Sequence, residues 1–183
     1  FPLKTPLIQS RIQVKESLMR KLFVSMMVLA AFISAGCGSD HVKKSQSQIA
    51  ADQEAAKPLY DRLGGKPAVD AVVSDFVSRA AIDPKVNFTR KGIPGAEWDA
   101  TPENVAHLKS ELSDFITAAT GGPVVYKGKS MKATHAKMQI TNAEFDALAG
   151  DLKASLDKFK VPAKEQSELL TIVGTTRKDI VTK

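Results

Sequence analysis

The residue of this chain best equipped for chemistry is His135, set in the stretch Gly121-Gly122-Pro123-Val-Val-Tyr126-Lys-Gly128-Lys-Ser-Met131-Lys-Ala-Thr-His135-Ala-Lys-Met138-Gln-Ile140. A neutral imidazole can give one nitrogen to a metal while its other N–H donates to a carbonyl that fixes the ring. The Gly-Gly-Pro break ends one helical pattern and a short helix follows. His135 stands one turn after Met131 in that helix, so both project from one face. This spacing suits an axial ligand beneath a flat, apolar porphyrin. On the residues alone, a satisfied core or surface histidine is the competing reading. His107 and Met138 are weaker candidates for the same metal, the first reading better as a solvated residue and the second as core. No Cys-x-x-Cys-His occurs, so a haem b would be held non-covalently.

Composition places these residues in an ordinary globular domain. The chain has 183 residues, 43% apolar and 25% charged, which suits one domain with a sizeable core. The formal net charge of +6 is concentrated at the start: Lys4, Arg11, Lys15, Arg20 and Lys21 against Glu16 leave +2 for the rest. A near-neutral body without a basic stripe argues against nucleic acid as a partner.

Residues 1–18 read as an upstream extension outside the fold, and translation is expected to start at Met19. From there Arg20-Lys21, the apolar run Leu22 to Ile33 and Ser34-Ala35-Gly36-Cys37 form an export signal over residues 19–36. The apolar run is too short to span a bilayer comfortably. Small residues leading into a lone cysteine resemble the lipobox of bacterial lipoproteins, with Ile33 one place upstream of the usual Leu. That likeness implies a lipid anchor at Cys37 and a protein facing the periplasm or the cell exterior. The alternative is an ordinary secretory peptide with an unpaired Cys37. Residues 37–57 are polar, rich in Ser, Gln and Ala, and aperiodic, and they are expected to form a flexible tether.

The domain is expected over 58–183. Gly64-Gly65 break a first short helix. Pro67 then suits the opening turn of a second, along which Val69, Val72, Val73, Phe76, Val77 and Ala80 recur at helical spacing. Asp83-Pro84 stops it, and an irregular connector with Gly92, Pro94, Gly95 and Trp98 follows. Thr101-Pro102 caps a helix whose apolar face is Val105, Leu108, Leu112, Phe115 and Ala119. Thr141 to Glu144 is a capping box for a helix with Phe145, Leu148, Leu152, Leu156 and Phe159 inward. Gly150 within it costs about 1 kcal/mol relative to Ala, so close packing against a neighbour or ligand is expected there. Pro162 opens a last helix using Leu169, Leu170, Ile172, Val173 and Ile180. No strand-like alternation appears, and the predicted class is all-α.

Taken together, these motifs resemble the group I truncated haemoglobins, bacterial globins built as a two-on-two helical sandwich around haem. The likeness spans about 58–182. It rests on Leu63-Gly64-Gly65, Val72-Val73-Ser-Asp75-Phe76, Leu108 to Phe115 before Gly121-Gly122-Pro123, Tyr126-Lys-Gly128, Met131-Lys-Ala-Thr-His135 and Phe145 after the capping box. The resemblance implies that His135 is the proximal ligand of haem iron and that Phe115, Tyr126, Met131 and Phe145 line the pocket. It also implies diatomic gases as ligands: O2, CO and NO. The family often carries a Tyr after the Phe of the second helix and a Gln four residues after the Leu of the distal helix, to hydrogen-bond bound dioxygen. Here those positions are Val77 and Leu112, which with Leu108 imply an apolar distal pocket.

Oxygen binding or transport is thus expected, with a short-lived oxygen complex. NO dioxygenation would need bound oxygen to persist and a reductase to restore ferrous iron, and peroxidase chemistry would need distal polar groups. Val77 and Leu112 count against the first, and for the second no distal polar group is visible apart from His107. From another class, the competing function is a haem-free helical lipoprotein using the globin fold as an interaction or scaffolding module. A Soret band separates the two.

Overall fold

The computed structural model describes residues 45–183. The upstream extension, the export signal and the Cys37 anchor lie outside the described residues. The expected flexible tether contains a helix, α1 (Gln46–Ala55). Ala, Gln and Glu are good helix formers, and Ser45 and Gln48 form a reciprocal capping box at its start. None of its residues is buried, so what supports it is local: caps and propensity rather than an apolar face.

The globular part begins with α2 (Leu59–Arg62), which plants Leu59 in the core, and α3 (Gly65–Ala80), which buries Val69, Val72, Val73, Val77 and Ala80. Helix α4 (Pro102–Ala119) is capped by the Thr101 side chain, which accepts from the Asn104 N–H, and has Pro102 at its first turn. A five-residue helix, α5 (Met131–His135), is capped by Ser130. Helix α6 (Asn142–Lys158) starts at the expected Thr141–Glu144 capping box, and α7 (Ala163–Thr175) and α8 (Arg177–Ile180) complete the chain. Helix α3 packs on α4 and α6, α6 packs on α7, and α2 braces α3 and α7. The two pairs α3/α4 and α6/α7 form the expected two-on-two sandwich. No strand is present among the described residues. A single parallel bridge joins Ile140 to Val181 and ties the end of the chain to the loop after α5, which also packs on α8.

Polar ties cross the sandwich. The Asp75 carboxylate accepts from Lys158 Nζ at 2.5 Å, Arg79 Nε at 2.7 Å and the buried Ser155 hydroxyl at 2.9 Å, joining α3 to α6. These donors hold its carboxyl well below the usual carboxylate range, Lys158 first. Arg62 on α2 binds Glu165 at 2.6 Å and also Glu168 on α7.

Two expectations about α6 are corrected. Phe159 is 42% exposed. It caps the helix where the chain turns away, and the Lys158 ammonium lies 5.6 Å from its ring centre. Gly150 faces open space, since a Cβ there would meet nothing within 4 Å; close packing does not account for it.

Candidate haem-binding site

Helix α4 decides where a ligand can sit. Its fully buried positions are Ser113, Ile116, Thr117 and, at the cap, Thr120, a single stripe at helical spacing. That stripe faces α3, where Ser113 donates to Asp70 and the nearby Lys109 reaches the Ser74 hydroxyl at 3.0 Å. The larger apolar residues Leu108, Leu112 and Phe115 lie on the adjoining stripe, packed on the core yet only half-buried, while Ala119 at the end of the expected face is exposed. A helix that buries small polar side chains and leaves its big apolar ones half-open has a second apolar surface to cover. The void inside the central core, lined by Leu63, Val69, Ile116 and Leu156, measures about 10 Å³ and is far too small for a cofactor.

The segment from 121 to 130 borders this half-open side through Tyr126, whose ring meets Phe115 edge-on at 5.6 Å and 78°. Its hydroxyl donates to the Lys129 carbonyl at 3.3 Å, and burial, followed by the neighbouring Glu111, pushes the phenol above its usual pKa of 10. Glycines make the path possible. At Gly128 a Cβ would stand 2.2 Å from the Tyr126 hydroxyl and 2.5 Å from the Glu111 carboxylate. At Gly122 it would stand 2.6 Å from Thr117 Cγ2 and 2.8 Å from the Thr117 carbonyl. The Gly-Gly-Pro and Tyr-Lys-Gly motifs are therefore close-approach motifs.

His135 ends α5 and is half-buried. Its Nδ1 lies 2.8 Å from the Met131 carbonyl oxygen. A carbonyl only accepts, so Nδ1 carries the proton and donates, leaving the lone pair on Nε2. Burial pushes the imidazole below its ordinary pKa of 6.5; the Met131 carbonyl pulls the other way, and the Arg90 cation pushes it lower. The ring is neutral at pH 7, its tautomer is fixed, and Nε2 has no hydrogen-bond partner among the described residues: the state of a histidine ready to bind a metal.

The other residues picked out from the sequence occupy separate settings in the fold. Met131 is half-buried one turn before His135. Phe145 is buried in the first turn of α6, with the Arg177 guanidinium 4.3 Å above its ring centre. Val77 is 3% exposed and belongs to the central core cluster with Val69 and Val73. His107 is a solvent residue with its side chain 73% exposed, 4.0 Å from Glu111. Met138 is half-buried beyond α5. Phe88 packs on the core and on Trp98, ring centres 5.4 Å apart, and the Trp98 indole donates to the Phe88 carbonyl at 2.8 Å.

One residue escaped the sequence reading. Arg90, in the irregular connector, is buried and binds Glu144 Oε1 through Nη1 at 2.6 Å. The partners are 54 positions apart and no local pattern marks the arginine. The capping box had drawn attention to Glu144, but only as a helix start.

A histidine whose Nδ1 donates to the Met131 carbonyl and whose Nε2 is free has the donor chemistry that haem iron requires, and half-buried Leu108, Leu112 and Phe115 on α4, with Tyr126 against Phe115, offer apolar surface. Similarity to known proteins points the same way. The family described as bacterial-like globin matches residues 58–182. Group 1 truncated haemoglobins from Tetrahymena thermophila and Mycolicibacterium paratuberculosis are 31% and 32% identical, each over 68% of this chain and over 95% and 84% of their own lengths. The crystal structure of the Fe(III) truncated haemoglobin from Tetrahymena pyriformis superposes with a TM-score of 0.59 at 31% identity, covering 69% of this chain and all of its own. A Synechococcus 2/2 haemoglobin, in the cyanomet state and with covalently attached haem, gives 0.59 at 32% identity over the same share. The shared helices, the coverage and the identity together place this chain among the group 1 truncated haemoglobins.

Proposed function

We propose that this chain holds haem b non-covalently, with His135 Nε2 as the proximal ligand, and reversibly binds diatomic gases on the opposite, apolar face. The observation that carries this reading is the His135 imidazole itself, neutral, aimed by the Met131 carbonyl at 2.8 Å and with Nε2 unengaged. When bound, haem supplies the iron at which O2, CO or NO is held. The chain's residues do the rest. Met131 fixes the ring through its carbonyl; Phe115, Tyr126 and Phe145 offer apolar surface; Val77, Leu108 and Leu112 exclude water from the distal side and provide no hydrogen-bond donor. Such a pocket favours gas binding over NO dioxygenation or peroxide cleavage. The lack of a Cys-x-x-Cys-His motif supports non-covalent attachment. Its export signal and Cys37 support a lipid-anchored protein outside the cytoplasm, served there by a reductase.

The test is an absorption spectrum of the chain produced with haem available, in ferric, dithionite-reduced and CO-bound forms, beside His135→Ala. A stoichiometric Soret band that His135→Ala loses or alters is expected. A folded helical protein that takes up no haem would overturn the reading and leave a scaffolding role.

A further inference from the structure

Between Asp114 and Glu144 the chain carries Lys127, Lys129, Lys132 and Lys137 and neither an acidic residue nor an arginine. All four lysines are exposed, and none of their ammonium groups has a hydrogen bond or ion pair among the described residues. Cations elsewhere are tied down: Lys66 to Asp70, Lys153 to Asp157, Lys158 to Asp75 and Arg177 to Asp146.

The path of the chain gathers these charges. From 122 to 129 exposure alternates: Gly122, Val124, Tyr126 and Gly128 are half-buried, while Pro123, Val125, Lys127 and Lys129 are exposed. An extended chain turns successive side chains to opposite sides. The inward side is held by Tyr126 on the Phe115 ring and by the close approach of Gly128 to Tyr126 and Glu111. Val125, Lys127 and Lys129 therefore share the outward side, and exposed Lys132 follows in the first turn of α5. Val125 is 78% exposed, an open apolar side chain beside free cations.

This combination discriminates between anionic partners. Protein interfaces are poor in lysine and centre on aromatic or arginine anchors, whereas the one aromatic ring of this loop, Tyr126, is turned inward. A nucleic acid would meet the lysines with phosphate but offer nothing to an open valine. A lipid surface suits both: ammonium groups act as point charges on phosphate headgroups, and an apolar side chain enters the acyl boundary.

We propose that the 123–132 surface docks this domain on an anionic lipid membrane, with Lys127, Lys129 and Lys132 on the headgroups and Val125 at the acyl boundary. Docking sets α5 beside the membrane, since Lys132 belongs to that helix. It needs neither haem nor the anchor proposed at Cys37, although an anchor would raise the effective concentration of lipid at this surface.

The experiment is cosedimentation of the full chain with vesicles of phosphatidylglycerol and phosphatidylcholine and with vesicles of phosphatidylcholine alone, read as the ratio of the two affinities. The apolar run Leu22 to Ile33 acts on both kinds of vesicle, and the basic residues near it act equally in every variant. Lys127→Gln/Lys129→Gln/Lys132→Gln should lower the ratio by about 100-fold, about fivefold for each lysine. Lys85→Gln/Lys160→Gln/Lys164→Gln removes the same charge from other elements and should stay within a few-fold of the wild type, because exposed charges more than about 10 Å from a surface are screened. Val125→Asn should weaken binding to the anionic vesicles severalfold. Equal losses in the two triple variants would show a response to net charge alone and overturn the proposal, as would an unchanged ratio in the first. Polyglutamate bound more tightly than the vesicles, with Val125→Asn without effect on either, would overturn it in favour of an acidic protein. Haem uptake enters none of these readings, so the failure of docking and the failure of haem binding are separate results.

Discussion

Replacing Leu112 by Gln puts an amide on the half-open stripe of α4, beside apolar Leu108 and Phe115. Leu and Gln have similar length, and the site is only half-buried, so the amide keeps access to water and the domain should lose no more than about 1 kcal/mol. The gain falls on the gas ligand. Dioxygen held at haem carries partial negative charge, and a hydrogen bond to a charged acceptor contributes about 1.5–3 kcal/mol. With each 1.4 kcal/mol worth tenfold, oxygen dissociation should slow by about 10- to 150-fold. Stopped-flow displacement of oxygen by CO reads this directly, and CO dissociation, which depends far less on a donor, is the internal control. Val77→Tyr does not offer the same route. Val77 is 3% exposed in the core cluster, and a ring there overpacks it at a cost of about 1–3 kcal/mol. An unchanged oxygen off-rate in a folded, haem-loaded Leu112→Gln protein would refute the placement of α4's half-open stripe on the gas-binding side.

Haem should raise the thermal midpoint of the chain: at free haem one hundred times its dissociation constant the linkage is about 2.7 kcal/mol, and calorimetry with and without haem should show a rise that His135→Ala diminishes. Gly122→Ala should destabilise by about 1–3 kcal/mol, because its Cβ would fall 2.8 Å from a backbone carbonyl that cannot swing aside; urea unfolding gives the value. Asp75→Asn should lower stability at neutral pH but not in acid. Its carboxyl is held below its ordinary value of 3.8, so its contribution is full above that pH and is lost as pH falls through the lower folded value. The gap in stability between variant and wild type should therefore narrow progressively as pH falls below about 3.8, and a constant gap would show that Asp75 does not act through its charge.

The elements were legible because their signals are local. Thr101-Pro102 and the Thr141–Glu144 box mark helix starts through side chains three residues from the groups they satisfy, and the Val69 to Ala80 spacing marks a buried face. His135 stands out as a candidate through Met131 one turn before it, the Gly-Gly-Pro offset and the family resemblance, and the structure places Met131 and His135 on one short helix. What escaped depends on distance or on helix ends. Phe159 fits the periodicity of α6 but falls at its C-cap, where the chain leaves the helical path. The tether was read from its polarity, which rules out a core but not a capped, solvated helix. Arg90 finds Glu144 only after α3, α4 and α6 have assembled, and an arginine in an irregular connector carries no pattern.

Helix α4 shows why its apolar face was identified while its most buried face was not. Periodicity selects Leu108, Leu112 and Phe115 because they are large and apolar, and the usual inference is that such a stripe is core. The residues with least exposure are instead Ser113, Ile116, Thr117 and Thr120, three of them polar. Two of the three polar residues have acceptors, Ser113 donating to Asp70 and Thr120 to the Ile116 carbonyl at 2.7 Å, while Thr117 packs its methyl where Gly122 leaves room. Small side chains suit the face of α4 that meets α3, and the larger apolar stripe packs on the edge of the core and stays half-open, with Phe115 against Tyr126. A helix meant only for the core would place these stripes the other way round, since burying Leu and Phe contributes more than burying Ser and Thr. The inversion leaves apolar surface for a partner that is itself flat and apolar, and in this family that partner is haem.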